Sequence, residues 1–411
     1  MKRLLPIFLV LMSFAIQAAA RERVKAGDEV FLEKHLNLIR GKSIGIITNQ
    51  SGELQDGRHI VDVLAHVPGV KLVALFAPEH GIRGKASAGE DISSGIDKQT
   101  GVPVYSLYGK TKKPTPQMLK GIDILIYDIQ DVGTRFYTFI STLDYCLEAA
   151  AENHIKFIVL DKPDMLRADL VDGPMLVDSL RSFIGIQPIP SVYGMTPGEL
   201  ATMMNDDGML KGGVKADLTV IRMENYRRNM WYDETGLKWI VPSPNLPDMN
   251  AVEVYPGNVL LEATNVSEGR GTEHPFEIIG APYIDSEKLI SLLDKQKLSG
   301  VTFQPADFTP RALPAAGEPK YLGELCHGVK VVVTGRNSLK PVEMGVTLVW
   351  AIRKLYPQEF KFIPSYFDRL AGTSSMRSML EDGKTPLEIF ASWRKDNKRF
   401  EILRKKYLLY R

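Results

Sequence analysis

The segment Ile122–Leu160, IDILIYDIQDVGTRFYTFISTLDYCLEAAAENHIKFIVL, decides the fold. Ile122–Tyr127 (IDILIY) is a short β-rich apolar run, and Phe136–Asn153 carries apolar residues at helical spacing. Lys156–Leu160 (KFIVL) is a second apolar run. Two strands joined by a helix, each strand apolar on both faces, form the repeating unit of a covered parallel sheet. Working outward, Ser43–Thr48 (SIGIIT) and Lys71–Ala77 (KLVALFA) read as further buried strands. Val102–Tyr108 reads as a shorter strand and His59–Val67 as a helix. This alternation predicts a doubly wound, Rossmann-like α/β domain.

Downstream the pattern changes. Val241–Asn250 (VPSPNLPDMN) places three prolines around Asn245, which reads as an extended crossing and marks a boundary between residues 21–245 and 246–411. Beyond it the pattern predicts a loop over Asn265–Pro275, a helix near Ser286–Lys295 and a Pro-rich stretch from Pro305 to Pro319. A strand over Val329–Thr334, a helix over Val342–Leu355 and a charged helical tail follow. The second domain is therefore expected to be smaller and α/β or α+β.

The chain opens with Lys2 and Arg3, an apolar run from Leu4 to Ile16, and Ala18–Ala20. That order of charge, apolar core and small residues predicts a cleavable secretory signal over 1–20, with a periplasmic or secreted product and no integral membrane segment. Removing it takes two of the 51 Lys and Arg and none of the 49 Asp and Glu, leaving 49 against 49. A chain balanced in charge is a poor nucleic-acid binder. Cys146 and Cys326 are too few for a disulfide framework, and Cys146 falls in an apolar helical pattern that favours a buried thiol.

In a parallel sheet, ligands gather beyond the carboxyl ends of the strands. Here those positions are polar: Asn49, then Pro78-Glu79-His80, then Asp128 and Asp131, then Asp161. Asn49 and Asp161 suit turns or helix caps, whereas glutamate is a poor cap and Glu79 stands in a Gly-rich turn. Three clusters mix carboxylate, arginine and glycine: Ala77–Gly84 (APEHGIRG), Asp128–Thr138 (DIQDVGTRFYT) and Ser267–Phe276 (SEGRGTEHPF). Their glycines permit close backbone approach to a ligand. Plural carboxylates suit glycoside hydrolysis, in which one protonates the leaving oxygen and another stabilises or attacks the sugar centre. Arg83, Arg135 and Arg270 suit an anionic substrate. No GxGxxG follows the first strand, and no GxxxxGK[ST], HExxH, GxSxG or cysteine cluster occurs, so no cofactor and no metal are expected.

The strings FAPEHGIRG (76–84), YDIQDVGTRFYT (127–138), VPSPNLP (241–247), VYPG (254–257) and SEGRGTEHPFE (267–277) resemble the signature blocks of the exo-β-N-acetylmuramidases, in family order. The resemblance implies release of terminal N-acetylmuramic acid from the non-reducing ends of peptidoglycan fragments such as MurNAc-GlcNAc saccharides. It also implies a Rossmann-like domain and a smaller partner with the cleft between them. It carries Glu79 over as the leading acid, with Asp128 and Glu268 as further catalytic candidates. Substrate contacts are expected from His80, Arg83, Asp131, Arg135, Tyr137, Asn245, Arg270 and Glu273. Retaining, inverting and acetamido-assisted routes all stay open, since the separation of the carboxylates distinguishes the first two. Two rival readings are a periplasmic binding protein for muropeptides or sugars, and a metal-dependent esterase or phosphatase using Glu79, His80 and Asp128.

Overall fold

The computed structural model describes residues 22–79, 81–83, 94–313 and 317–411, so the predicted signal segment lies outside the described residues. The first part of the chain builds a seven-stranded sheet. Its strands are β1 (Ser43–Thr48), β2 (Lys71–Ala77), β3 (Gly95–Ile96), β4 (Pro103–Ser106), β5 (Ile124–Asp128), β6 (Lys156–Leu160) and β9 (Leu218–Ile221). They lie in the order β3-β4-β2-β1-β5-β6-β9. All pairings are parallel except the short edge strand β3 against β4. The chain winds from β1 outward through β2 and then returns to β5 on the other side, which makes the β1/β5 junction the switch point.

The apolar runs explain why both faces are covered. Along β5, Ile124 and Ile126 join one core with Phe31, Ile60 and Leu64, while Leu125 and Tyr127 join the other with Phe139, Ile140 and Leu143. Along β6, Ile158 and Leu160 take the first side and Phe157 and Val159 the second. A two-residue period with apolar side chains on both sides demands helices on both sides. Gly27–Lys34 and Ile60–Leu64 cover one face; Phe139–Glu152 and Pro197–Asp206 cover the other.

Two short strands, β7 (Asp172–Met175) and β8 (Pro190–Val192), pair beside this sheet. The later part of the chain forms an antiparallel sheet of β10 (Ile278–Ala281), β12 (Cys326–Val333) and β11 (Val301–Phe308), in that order. Its helices follow in blocks, so the smaller part is α+β. The Pro-rich stretch begins inside a strand, at Pro305. This residue lies within β11, opposite Val329, on an edge strand, where a missing N–H costs no inner ladder bond. VPSPNLP is irregular as expected, and Asp248 then caps the helix Met249–Asn258 by accepting from Ala251 N at 3.1 Å.

That helix crosses Pro341–Leu355 at Gly257 and Gly345. A Cβ on Gly257 would lie 2.0 Å from the Pro341 carbonyl oxygen, and one on Gly345 would lie 2.2 Å from the Gly257 carbonyl carbon. The glycine of VYPG therefore serves helix packing. The larger apolar core runs without a break from Leu125 and Phe139 to Phe276, Val329 and Val349, across both parts. The tail Pro386–Arg404 returns to the first part, where Arg404 donates to the Ala168 carbonyl at 3.0 Å and Tyr410 to Asp161 at 2.6 Å. Cys146 and Cys326 are both free and buried. No helix among the described residues is long and apolar enough to cross a membrane.

Candidate active site

A cavity of about 410 Å³ takes its walls from both parts of the chain. From the first come Glu79, Tyr108, Tyr137 and Thr138; from the second, Tyr255, Glu262, Glu268, Arg270 and Tyr366. Glu79 sits two residues beyond β2, at the sheet's carboxyl edge, as the parallel-sheet rule requires. Its Oε2 accepts from the Thr138 hydroxyl at 2.8 Å. Thr138 immediately precedes the helix Phe139–Glu152, so β2 and the β5-to-helix loop converge here. Tyr137 donates to the Pro242 carbonyl at 2.8 Å, and Ser243 lines the cavity. The extended VPSPNLP crossing thus forms part of the wall.

The second part contributes an ion network. Arg270 Nη2 donates to Glu262 at 2.6 Å, and its Nε lies 3.3 Å from Glu268. Lys320 Nζ donates to the other oxygen of Glu268 at 2.8 Å, and Tyr366 donates to Glu262 at 2.7 Å. Two cations thus serve two carboxylates. Burial alone would raise the Glu262 carboxyl, but Arg270, Tyr366 and Lys320 hold it below its ordinary value. Among the described residues Arg270 Nη1 makes no hydrogen bond, and the guanidinium lies 5.2 Å from the Phe276 ring.

Gly269 and Gly271, which alternate with Glu268 and Arg270, have φ of 81° each. A Cβ on Gly269 would lie 2.7 Å from the Ile278 carbonyl oxygen, and one on Gly271 2.6 Å from that of Arg311. These glycines admit protein backbone rather than a ligand's, and so present Glu268 and Arg270 from a fixed loop.

Several expected site residues lie elsewhere. Asp128 is wholly buried beside Lys162 Nζ at 3.1 Å, and Lys162 also holds Asp28 at 2.9 Å and the Ser51 carbonyl at 2.8 Å. Burial pushes the Asp128 carboxyl up to about 7, against the pull of Lys162. It does not line the cavity, and its surroundings are those of a core ion pair. Asp131 is likewise buried, accepting from Tyr193 at 2.5 Å and Gly133 N at 2.8 Å; burial raises it to about 6. Arg135 has no exposed surface, and it donates to the carbonyls of Pro174, Ile189 and Leu370 at 2.7, 3.0 and 2.9 Å. It is a brace between chain segments, not a substrate ligand. Arg83 is committed to Asp62 at 2.8 Å and Asp97 at 3.3 Å. Asn245 is buried outside the cavity wall, Glu273 is exposed on its loop away from that wall, and His80 lies outside the described residues. Asn49 accepts from Ser51 N at 2.9 Å, the turn role its position suggests, whereas Asp161 accepts over long range from Gly198 N at 2.7 Å and Tyr410 at 2.6 Å.

Of the candidates, the structure brings Glu79, Tyr137, Glu268 and Arg270 to one cavity. Sequence reading missed Glu262, Lys320 and Tyr366. Tyr255 and Thr138 stood inside quoted blocks, but no motif distinguishes Glu262, which meets Arg270, or Tyr366, which meets Glu262 only through tertiary packing.

A cleft lined by carboxylates and aromatic rings beside the carboxyl edge of a parallel sheet has the residue types that a glycoside hydrolase requires. Two models, the N-terminal and C-terminal parts of the exo-β-N-acetylmuramidase NamZ family, match residues 44–250 and 253–410, and the chain belongs to that family. It is 47% identical over 395 residues to the peptidoglycan β-N-acetylmuramidase NamZ of Bacillus subtilis (strain 168), covering 96% of this chain and 93% of that one. Crystal structures of two DUF1343 family proteins from Bacteroides fragilis NCTC 9343 superpose with TM-scores of 0.88 and 0.77, at 36% and 37% identity. Each comparison covers 95% of this chain and 99% of the other.

Proposed function

We propose that this chain is an exo-acting hydrolase that releases terminal N-acetylmuramic acid from the non-reducing ends of peptidoglycan fragments, with MurNAc-GlcNAc as its minimal substrate. The observation that carries the reading is the shared cavity, with Glu79 from the first part of the chain and the Glu262–Arg270–Glu268 network from the second. Glu262, held below its ordinary value by Arg270, Tyr366 and Lys320, is suited to stabilise positive charge at the anomeric carbon and not to give up a proton, and Glu268 stands beside it on the same Arg270. Glu79, which faces the cavity from the carboxyl edge of the sheet, is assigned the proton transfer to the leaving oxygen. Arg270 Nη1 is assigned to the lactyl carboxylate of muramic acid, the group that distinguishes this sugar from N-acetylglucosamine. The division at 245/246 sets the two walls of the cleft. The first twenty residues support export, and a periplasmic or secreted site follows.

The test is incubation of the purified protein with MurNAc-GlcNAc and mass spectrometry of the products. Free N-acetylmuramic acid and N-acetylglucosamine are expected. From longer strands, internal fragments without free muramic acid would overturn the exo reading.

A further inference from the structure

We infer that an aromatic track leads from the catalytic cavity to a second, accessory saccharide site for the sugars on the leaving side of the cleaved bond. This rests on the function proposed above. Tyr108 lines the catalytic cavity, and its ring centre lies 6.0 Å from that of Phe183. Phe183 stacks on Tyr145, with centres 6.3 Å apart and planes 9° from parallel. Tyr145 in turn lines a cavity of about 280 Å³. All three rings are half-buried, so each is held by the protein while keeping part of its surface open. The segment between the cavities is shared: Ile184 lines the first, while Ser182 and Ile186 line the second. Two bonds hold that segment, from the Ser141 hydroxyl to the Phe183 carbonyl at 2.7 Å and from Gly185 N to the Ser182 carbonyl at 3.0 Å. A platform fixed in advance loses little freedom on binding.

The second cavity also contains polar groups in want of partners. Asp144 is 1% exposed, and its Oδ1 accepts no hydrogen bond among the described residues; its other oxygen takes the Gln187 amide. The buried Ser182 hydroxyl is equally unpartnered. Leaving such groups unsatisfied is costly, and a ligand with hydroxyl or amide donors would satisfy them. Lys112 Nζ stands 4.5 Å over the Phe183 ring, and Arg181, whose Nε pairs with Asp178 at 2.9 Å and whose Nη1 donates to the Ile186 carbonyl at 3.1 Å, lines the second cavity. Flat apolar rings, a buried carboxyl, a hydroxyl and rim cations together match a sugar, which has an apolar face and a polar edge. The cations match the lactyl or peptide carboxylates that later muramic residues carry. An enzyme that removes the terminal unit leaves the rest of the glycan on the leaving side, and the track gives that remainder a surface.

The experiment compares kcat/KM for MurNAc-GlcNAc with that for the tetrasaccharide MurNAc-GlcNAc-MurNAc-GlcNAc, in the wild type, Phe183→Ala, Tyr145→Ala and Tyr145→Phe. The wild type is expected to favour the tetrasaccharide. That preference should fall roughly three- to tenfold in the two alanine variants and return in Tyr145→Phe, which keeps the ring. Thermal unfolding checks that each variant is folded. Equal kcat/KM for the two saccharides in the wild type, or a preference unmoved in both alanine variants, overturns the track. Should the wild type hydrolyse neither saccharide, the proposed function fails separately. The track is then read from tetrasaccharide binding by calorimetry, where weakening in Phe183→Ala supports it and unchanged affinity overturns it.

Discussion

The molecule holds two clusters of carboxylates and cations, one closed and one open. At the switch point of the sheet, Lys162 lies between Asp28 and Asp128, and all three are at most 4% exposed. In the cleft, Glu262 and Glu268 share Arg270 and Lys320 around a cavity of about 410 Å³. The residue types are the same, but the balance differs. One lysine serving two buried acids leaves Asp128 raised to about 7, whereas two cations serving two acids leave Glu262 below its ordinary value. The buried cluster lies outside the wall of the catalytic cavity and ties three chain segments together. An open one, with its acids fixed by ion pairs beside a cavity, can act on a bound sugar. Carboxylates at the ends of parallel strands are thus ambiguous until burial is known.

Substitutions on the two sides should separate cleanly. In the cleft, Glu79→Gln keeps shape and the Thr138 contact but removes the transferable proton, so kcat is expected to fall by about 10² to 10⁴. Chemical denaturation should find its stability nearly unchanged. A nitrophenyl muramide, which needs less protonation on leaving, should recover much of the lost rate, and near wild-type turnover of the disaccharide would remove Glu79 from the mechanism. In the closed cluster, Lys162→Met leaves two buried acids without their cation. The expected loss is about 3–5 kcal/mol of folding stability, measured by urea unfolding. A Lys162→Met protein that is stable yet inactive would move chemistry back to Asp128.

Two smaller effects sharpen the contrast. Arg270→Lys loses the planar fork, and kcat/KM for muramic substrates should drop by roughly one to two decades, more than for an N-acetylglucosaminide. Equal losses on both would confine Arg270 to holding Glu262 and Glu268. The last effect concerns pH. Asp131 is raised to about 6 when folded, so between about pH 4 and 6 the native state keeps a proton that the unfolded chain has released. Stability from this group is full below pH 4 and is lost as pH rises through 6. Asp131→Asn should flatten that decline by at most about 1.4 kcal/mol per pH unit, as followed by thermal unfolding across the range.

How much of this was legible in the sequence varies by element. β1, β2 and β6 run over the residues their apolar patterns mark, because a strand buried on both faces leaves a continuous apolar signal. β11 was hidden by Pro305, since an edge strand tolerates the residue that usually breaks one. Within the site, Glu79 was legible because it combines a strand end with a residue unsuited to capping. Arg135 misled, because a guanidinium in a polar cluster looks the same in sequence whether it faces a ligand or three backbone carbonyls.

Local pattern therefore determined the parallel sheet, its carboxyl edge and the family-like blocks from which Glu79, Glu268 and Arg270 come, since each of these is written within a few neighbouring residues. Tertiary structure alone decided which charges stay open. Glu262 and Tyr366 are 104 residues apart in the chain yet share a hydrogen bond of 2.7 Å, and Lys162 meets Asp28 from 134 residues away. Burial and partnership of a charge depend on surfaces brought together by distant segments, and no local stretch of sequence carries that information.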